Sequence, residues 1–247
     1  MLLLVFDLMK KNKIALWSGP RNISTALMYS FANRQDTKVI DEPLFGYFLK
    51  HTGVWRPSAK EVLDNMDLNS ASVVNKLIYP DINQSVYFIK NMANHLLDLD
   101  WSFLANFHNI ILTRHPKEML LSYSQHMDNP TMLDTCYQIQ NDLLKYLISK
   151  NISSLVIDSK QVLINPEKAL RKICNFSSIP FSTKMLNWEK GSRVEDGVWA
   201  KYWYNNVHRS TSFENYIPKD QPLPNELYPL YEKCLIHYNE ILKFQSK

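Results

Sequence analysis

The sequence predicts an α/β fold, a single domain in which a parallel β-sheet is flanked by helices. Short β-rich runs alternate with segments of helical spacing, which is the pattern of a parallel sheet with helices on its faces. The chain has 247 residues, enough for one large α/β domain or two small ones. Its 45% hydrophobic and 21% charged residues are the balance of an ordinary globular protein. We expect residues 13–247 to form the domain and residues 1–12 to be a loosely attached extension.

The predicted elements follow one another in order along the chain. The β-rich runs are residues 14–17, 38–41, 86–89, 109–113 and 154–158. The helical segments between them are residues 25–33, 59–66, 71–78, 117–127 and 132–149. Pro166 opens a further helix over residues 167–176, because proline suits the first helical position. Residues 190–225 are rich in polar and aromatic residues and are predicted to be a long functional loop with some helix, before a last helix over 226–244.

Charge and cysteine content narrow the function classes. A net charge of +4 favours an anionic ligand but is far from a surface that coats nucleic acid, so we expect no nucleic-acid partner. The three cysteines form no Cys-x-x-Cys pair, which indicates neither a disulfide framework nor a zinc site and favours a reducing cytoplasm. Residues 1–6 are apolar but lack the charge order of a secretory signal, and no run reaches the ~18 apolar residues of a membrane span. We therefore expect a cytoplasmic protein without a membrane span.

The turn after the first strand has the pattern of a phosphate-binding loop. An apolar strand over residues 13–17 runs into a Gly-Pro turn at residues 19–20, and a helix begins at Ser24 and Thr25. A strand, a tight loop and a helix N-terminus present several free backbone N–H groups to an anion. Arg21 adds a fixed positive charge and a fork of donors. The alternative is an ordinary turn in which Ser24 or Thr25 caps the helix, and this segment alone leaves both interpretations open.

The same loop departs from the motif of nucleoside triphosphatases, Gly-x-x-x-x-Gly-Lys-Ser/Thr. Counted from Gly19, Ser24 stands in place of the second glycine, and Thr25 stands in place of the lysine that reaches a γ-phosphate. We therefore expect a phosphorylated ligand, but the sequence does not favour ATP hydrolysis.

A second polar site follows the fourth predicted strand. Arg114 lies just past the strand, Pro116 opens the next helix, and Ser122 lies on the side of that helix that faces back toward the strand ends. An arginine and a serine held in this way can bind a second phosphate. Taken alone, Arg114 would more simply be a surface ion-pair partner and Ser122 an ordinary helical residue. Because ligands bind at the carboxyl ends of parallel strands, two such sites in one sheet favour a bisphosphorylated nucleotide.

The two phosphate sites resemble those of a known enzyme family. Residues 114–122 read Arg-His-Pro-Lys-Glu-x-x-x-Ser and resemble the 3′-phosphate motif of sulfotransferases that use 3′-phosphoadenosine-5′-phosphosulfate (PAPS). Residues 20–25 are similar to the family's 5′-phosphosulfate loop, Pro-Lys-Ser-Gly-Thr-Thr. Arg21 falls on the lysine of that loop, and Ile23 stands where the family has glycine. The resemblance implies a P-loop-NTPase-like sulfotransferase fold.

Three further stretches resemble the family in the same order along the chain. Residues 88–92 with His95 resemble the strand that carries a Lys-Thr-His segment. Residues 158–181 resemble the helix and Pro-Phe stretch that follow the last core strand. Residues 190–201 resemble the late loop that closes over the nucleotide. Their order along the chain matches that of the family.

The resemblance implies PAPS as the donor and two groups of residues that bind it. The 5′-phosphosulfate is assigned to Arg21, Asn22, Ile23, Ser24 and Thr25, and the 3′-phosphate to Arg114, Ser122, Lys190 and Gly191. Gly19, Pro20 and Trp199 are also assigned to the binding of the nucleotide. The implied reaction transfers a sulfuryl group to a hydroxyl or amine of a small-molecule or carbohydrate acceptor. Adenosine 3′,5′-bisphosphate (PAP) is the implied product, and no metal ion is expected.

Four residues are implied in catalysis. Arg21 and Lys90 would stabilise the charge that develops on the leaving nucleotide. Glu42 ends the second strand, where carbohydrate-type members keep their base, while His95 lies three residues beyond the position at which small-molecule members have a histidine. A glutamate is ionised at neutral pH without tuning, so we favour Glu42 as the base. The plainer interpretation of Glu42 is a solvated carboxylate in a turn.

Two other function classes stay open on the sequence. The first is a nucleotide or small-molecule kinase with a degenerate phosphate loop, in which Asp158 at a strand end would hold Mg²⁺. The second is a non-catalytic nucleotide-binding protein, which Ile23 and the arginine at position 21 would allow. The sequence names neither the acceptor nor the oligomeric state.

Overall fold

Five parallel strands form the centre of the computed structural model, which describes residues 11–245. They are β1 (Asn12–Ser18), β2 (Thr37–Asp41), β3 (Val86–Met92), β4 (His108–Thr113) and β5 (Ser154–Asp158). Their order in the sheet is β2-β3-β1-β4-β5, and every neighbouring pair is parallel. The predicted fold class is confirmed. Most of the predicted N-terminal extension lies outside the described residues, and Asn12 already begins β1.

Twelve α-helices surround the sheet within the described residues. The first six are α1 (Ser24–Ala32), α2 (Phe45–Thr52), α3 (Ala59–Asn65), α4 (Ser70–Ile78), α5 (Pro116–Tyr123) and α6 (Met132–Thr135). The others are α7 (Tyr137–Ser149), α8 (Ser159–Ile164), α9 (Pro166–Phe176), α10 (Ala200–Trp203), α11 (Asn205–Arg209) and α12 (Tyr228–Leu242). The helix predicted over 132–149 is divided at Cys136, whose left-handed backbone (φ 67°) ends α6 and begins α7.

The central strand β1 shows why the sheet is covered on both faces. Ile14 and Leu16 point to one face and join an apolar cluster with residues of α1, α8 and α9. Ala15 and Trp17 point to the other face and join a second cluster with residues of α4 and α7. Alternate residues of a strand point to opposite faces, so a continuous apolar run requires helices on each side.

The carboxyl ends of the strands bring the predicted site residues to one edge of the sheet. The chain leaves β1 at Ser18, β2 at Asp41, β3 at Met92 and β4 at Thr113, and parallel strands end on the same side. The two neighbours of β1 are β3 and β4, so the loops that follow these three strands are adjacent. This is where ligands bind in open parallel sheets.

A buried ammonium group joins this edge to the late part of the chain. Asp41 and Lys90 are register partners of β2 and β3. The Nζ of Lys90 donates to Asp41 Oδ1 (2.9 Å), to Glu42 Oε1 and to the hydroxyl of Tyr204 (2.6 Å). The Tyr204 hydroxyl donates in turn to Asp41 Oδ2 (2.7 Å). We call these four residues the Lys90 network. The Lys90 side chain is only 2% exposed, and a charge at that depth is tolerated only when it is paired.

The segment before Tyr204 is fastened to the same network. The Gly197 N–H donates to Asp41 Oδ2 (3.2 Å), and Trp199 Nε1 donates to the Tyr204 hydroxyl (3.0 Å). The indole of Trp199 lies directly on Gly197, where a Cβ would come within 2.1 Å of the ring, so only glycine fits. Residues 197–204 are therefore held against the carboxyl edge of the sheet.

Tyr204→Phe tests how far the fold depends on the Lys90 network. The substitution removes one hydroxyl and leaves Asp41 and Lys90 each short of a buried partner. We expect the free energy of unfolding to fall by about 1–3 kcal/mol in urea denaturation. The matched control is Tyr228→Phe, because Tyr228 is exposed and its loss of a hydroxyl should change stability by no more than about 0.5 kcal/mol. Equal stability of the two variants would contradict the structural role of the network.

Candidate active site

A cavity of about 430 Å³ opens at the carboxyl edge of the sheet. Its wall is built from the loop after β1, the ends of β2 and β3, helix α5 and parts of residues 199–219. It contains most of the predicted site residues. These are Gly19, Pro20, Arg21, Asn22, Ile23, Ser24, Thr25, Glu42, Lys90, His95, Arg114, Ser122 and Trp199.

The loop after β1 contains two residues in a backbone conformation that favours glycine, although neither is glycine. Arg21 (φ 57°) and Ile23 (φ 61°) are both left-handed, a conformation that costs an L-residue roughly 1–2 kcal/mol. The Ile23 side chain packs against the first apolar cluster, and this contact offsets part of the strain. Helix α1 begins at Ser24 without a side-chain cap, so neither Ser24 nor Thr25 has the capping role that was the alternative interpretation. The first N–H groups of α1 are left for a ligand.

The two predicted phosphate motifs meet at Arg21. Its Nε donates to Ser122 Oγ (3.1 Å), and Arg114 Nη1 donates to the Arg21 carbonyl (2.8 Å). Arg114 is paired with Glu118 (3.2 Å), whereas Arg21 has no carboxylate partner among residues 11–245. Burial and the charge of Arg114 lower the pKa of the Arg21 guanidinium. The result is an excess of positive charge beside the N-terminus of α1.

Lys219 adds a third positive charge that the sequence motifs do not reveal. It lies in the cavity wall, where burial and then the charges of Arg114 and Arg21 lower the pKa of its amine. The segment that carries it is attached to α5, since the Tyr216 hydroxyl donates to Glu118 Oε1 (2.5 Å). Lys219 follows a proline in an irregular stretch, and no periodicity or spacing singles it out.

Lys190 and Gly191 lie elsewhere, contrary to the role implied for them. Neither is part of the cavity wall. Lys190 is exposed, and the Gly191 N–H donates to the carbonyl of His208 (2.9 Å). The late loop reaches the cavity through Trp199 and through residues 203–219 instead. The cation that this loop brings to Arg114 is therefore Lys219.

Glu42 is buried at the end of β2 in a left-handed conformation (φ 45°). Its N–H donates to the Lys90 carbonyl (2.8 Å), and its Oε1 accepts from Lys90 Nζ. Its other oxygen, Oε2, lies 3.9 Å from Nε2 of His95. Burial raises the pKa of the Glu42 carboxyl, Lys90 opposes that rise, and Asp41 adds to it. Glu42 is therefore not the solvated carboxylate in a turn that the plainer interpretation of the sequence predicted.

His95 is enclosed by aromatic rings at the same end of the cavity. Its ring stacks on Phe45 (4.9 Å between centroids) and lies tilted against Phe48 (4.9 Å). Burial, then the charges of Lys90 and Arg56, hold the pKa of His95 well below its usual range, so the ring is neutral. Its Nδ1 is buried and has no hydrogen-bond partner in the described part of the chain.

Lys90 does not have the geometry expected for it. An ammonium group has three donors, and all three are used by Asp41, Glu42 and Tyr204. It has no donor left for an oxygen of a leaving nucleotide. Its charge instead fixes the position of Glu42 and favours the ionised carboxylate.

The kinase hypothesis finds no support in the position of Asp158. Its Oδ1 accepts from the Lys160 N–H (2.7 Å) and its Oδ2 from the Tyr238 hydroxyl (2.6 Å). Asp158 therefore caps α8 and anchors α12, and it lies outside the cavity wall. Among residues 11–245, no three His, Cys, Asp or Glu side chains are grouped to hold a metal ion. Over the same residues, no helix has the length and apolar character needed to cross a membrane.

Two known proteins are similar to this chain in sequence. Two Arabidopsis thaliana proteins, branched-chain-amino-acid aminotransferase-like proteins 1 and 2, are 38% and 37% identical over 226 and 240 residues. These matches cover 90% and 95% of this chain but 40% and 42% of the plant proteins, so the chain spans about two fifths of their length.

Solved structures show the fold at much lower identity. The sulfotransferase domain from the curacin biosynthetic pathway superposes with a TM-score of 0.57 at 17% identity, covering 92% of this chain and 96% of that one. A sulfotransferase from Alicyclobacillus acidocaldarius gives 0.55 at 10% identity and 94% coverage of both chains. The family model of the sulfotransferase domain matches residues 12–241, which include all five strands and the whole cavity wall. The chain belongs to the sulfotransferase family.

Proposed function

We propose that this chain transfers a sulfuryl group from PAPS to a hydroxyl or amine of a small acceptor molecule. Membership of the sulfotransferase family supports sulfuryl transfer as the reaction class. One observation carries the choice of donor. The hydrogen bond between Arg21 and Ser122 joins two phosphate motifs that are 101 residues apart, in a cavity where Arg21 has no carboxylate partner among the described residues.

The cavity wall fits a donor with several negative charges. Arg21, Arg114 and Lys219 converge beside the uncapped N-terminus of α1, which is itself electropositive. PAPS carries a 5′-phosphosulfate and a 3′-phosphate, so it can occupy the helix N-terminus and the arginine pair together. A nucleoside triphosphate would lack its usual lysine, since Thr25 stands in that place.

The leaving nucleotide would be stabilised by groups that are already in place. When the bond from sulfur to the bridging oxygen breaks, negative charge develops on that oxygen. Arg21 and the first N–H groups of α1 are fixed by the fold and need no reorganisation to meet it. Fixed donors of this kind are worth several kcal/mol of barrier, about 3–4 for one strong donor.

Glu42 would act as the base that takes the proton of the acceptor. Its Oε1 is held by Lys90, which leaves Oε2 to receive the proton as the new bond to sulfur forms. His95 is neutral and 3.9 Å from Oε2, so it is the second candidate. We place it as a group that orients the acceptor.

The first test concerns the nucleotide. PAP without added Mg²⁺ should stabilise the protein against heat more than ATP or ADP does. At a hundredfold excess over Kd the gain is about 2.7 kcal/mol, or roughly 5–10 °C in Tm for a domain of this size. Differential scanning fluorimetry measures it. An equal shift with Mg·ATP, or none with PAP, would contradict PAPS as the donor.

The second test compares two lysines. Lys219→Ala should weaken PAP binding roughly tenfold to a hundredfold, because a charge-assisted contact to phosphate is lost. Lys190→Ala removes the same charge from an exposed site and should leave the Kd within twofold. Titration calorimetry gives both values. The reverse pattern would return the role to Lys190.

The third test identifies the base. Glu42→Gln should lose about 10²- to 10⁴-fold in kcat while PAP binding is unchanged. In the wild type, kcat/KM should fall as the pH drops through the pKa of Glu42, which burial raises above the ordinary value, because the protonated carboxyl cannot accept a proton.

His95→Asn is the companion variant, and we expect it to lose less activity than Glu42→Gln does. Near-normal turnover of Glu42→Gln beside an inactive His95→Asn would reverse the assignment. PAP binding by every variant without turnover of any acceptor by the wild type would favour a non-catalytic nucleotide-binding protein.

A further inference from the structure

The cavity has a second charged group that donor binding and the base do not use. Arg56 lies between α2 and α3, Asp134 in α6, and Tyr123 at the end of α5, and all three are in the cavity wall. Phe45 and Phe48 also line this cavity, where both rings lie against His95. We call Arg56, Tyr123 and Asp134 the acceptor wall.

The acceptor wall has more free hydrogen-bond donors than free acceptors. Arg56 Nη2 pairs with Asp134 Oδ1, and Arg56 Nη1 donates to the Trp55 carbonyl (2.8 Å). A guanidinium has five N–H donors, so the described contacts leave several unused. Both carboxylate oxygens of Asp134 already accept hydrogen bonds. Oδ1 accepts from Arg56, and Oδ2 accepts from the N–H (2.8 Å) and the hydroxyl (2.6 Å) of Thr131. The pair therefore offers donors, but few acceptors, to a ligand.

Tyr123 supplies another unused donor. Its side chain is buried in the wall, and its hydroxyl has no hydrogen-bond partner among residues 11–245. Burial raises the pKa of the Tyr123 hydroxyl above its usual range, so the group stays protonated and can donate. Tyr123, Arg56 and Asp134 line the same cavity, so one ligand in that cavity can reach both the hydroxyl and the guanidinium.

We propose that the acceptor carries a carboxylate that binds to Arg56 and Tyr123, with its reactive hydroxyl or amine directed to Glu42. This inference rests on the proposed function and names the class of its acceptor, a small hydroxy- or amino-carboxylate. The rings of Phe45 and Phe48 would contact an apolar or aromatic body between the two ends of such a molecule.

A carboxylate suits the wall better than other charged groups. The fork of a guanidinium matches two carboxylate oxygens, and the hydroxyl of Tyr123 adds a third donor. A phosphate carries up to two negative charges, so the carboxylates of Asp134 and Glu42 in the wall would repel it more strongly than a singly charged carboxylate. A cationic ligand would meet the guanidinium with no free carboxylate at Asp134 to bind it.

The experiment measures PAP release from PAPS with matched pairs of acceptors. We would use 4-hydroxyphenylacetate with its amide, 3-hydroxybutyrate with its amide, and phenylalanine with its amide. For the wild type, the acid should exceed the amide in kcat/KM roughly tenfold to a hundredfold in at least one pair. Arg56→Gln should remove that preference, and Tyr123→Phe should reduce it, while the Kd for PAP stays within twofold.

Arg171→Gln is the matched control, because it removes a guanidinium from an exposed ion pair on α9 and should keep the preference intact. The proposal is overturned if the amides are turned over as well as the acids, if no acid is turned over by a wild type that binds PAP, or if Arg56→Gln keeps the preference. In the last case Arg56 only fastens its loop to Asp134. Should Arg56→Gln fail to fold, Tyr123→Phe decides, since it leaves the ion pair in place. Failure to bind PAP would instead contradict the proposed function.

Discussion

The ammonium of Lys90 is the constraint on which the rest of the structure depends. It is buried between the ends of two strands, where an unpaired charge would cost several kcal/mol, so its three donors must all be satisfied. Asp41 and Glu42 meet that requirement from β2, and Tyr204 meets it from the late segment. This one charge holds the end of β2 against β3 and orients the carboxylate of Glu42, the proposed base. Through Tyr204 it also holds residues 199–204 in the cavity wall.

The loop after β1 holds Ile23 in a left-handed conformation that glycine adopts with less strain. The left-handed conformation at Ile23 costs more for a β-branched side chain than for glycine, which has no Cβ. Burial of the isoleucine side chain against the first apolar cluster compensates for part of that cost. The N–H groups of α1 stay exposed to the cavity, because no side chain caps the helix. The free donors, rather than the glycine itself, make such a loop able to bind an anion.

The sequence was sufficient to place a candidate site residue in the cavity where that residue directly follows a strand. The apolar runs located all five strands, and the carboxyl ends of parallel strands brought Arg21, Glu42 and Arg114 to one cavity. The sequence was insufficient where the position of a side chain depends on the path of an irregular segment. For this reason Lys190 was assigned to the binding site, whereas Lys219, which lies in the cavity wall, was not. The use of all three Lys90 donors depends on the register of β2 against β3 and on the position of Tyr204, which follows the short helix α10. Hydrophobic periodicity reveals neither. Helix α2 was missed because it is short and aromatic, with no periodic pattern long enough to detect.

The charge balance of the Lys90 network bears directly on proton transfer. Lys90 and Asp41 neutralise each other, so the carboxylate of Glu42 is the excess negative charge of a buried group. Accepting a proton removes that excess and relieves the desolvation penalty, which is why burial raises the pKa of Glu42. The charge of Lys90 and its hydrogen bond to Glu42 limit that rise in pKa. A carboxylate whose pKa is raised by burial gains from accepting a proton, which suits Glu42 to the base role proposed for it, opposite the proposed stabilisation of the leaving nucleotide by Arg21.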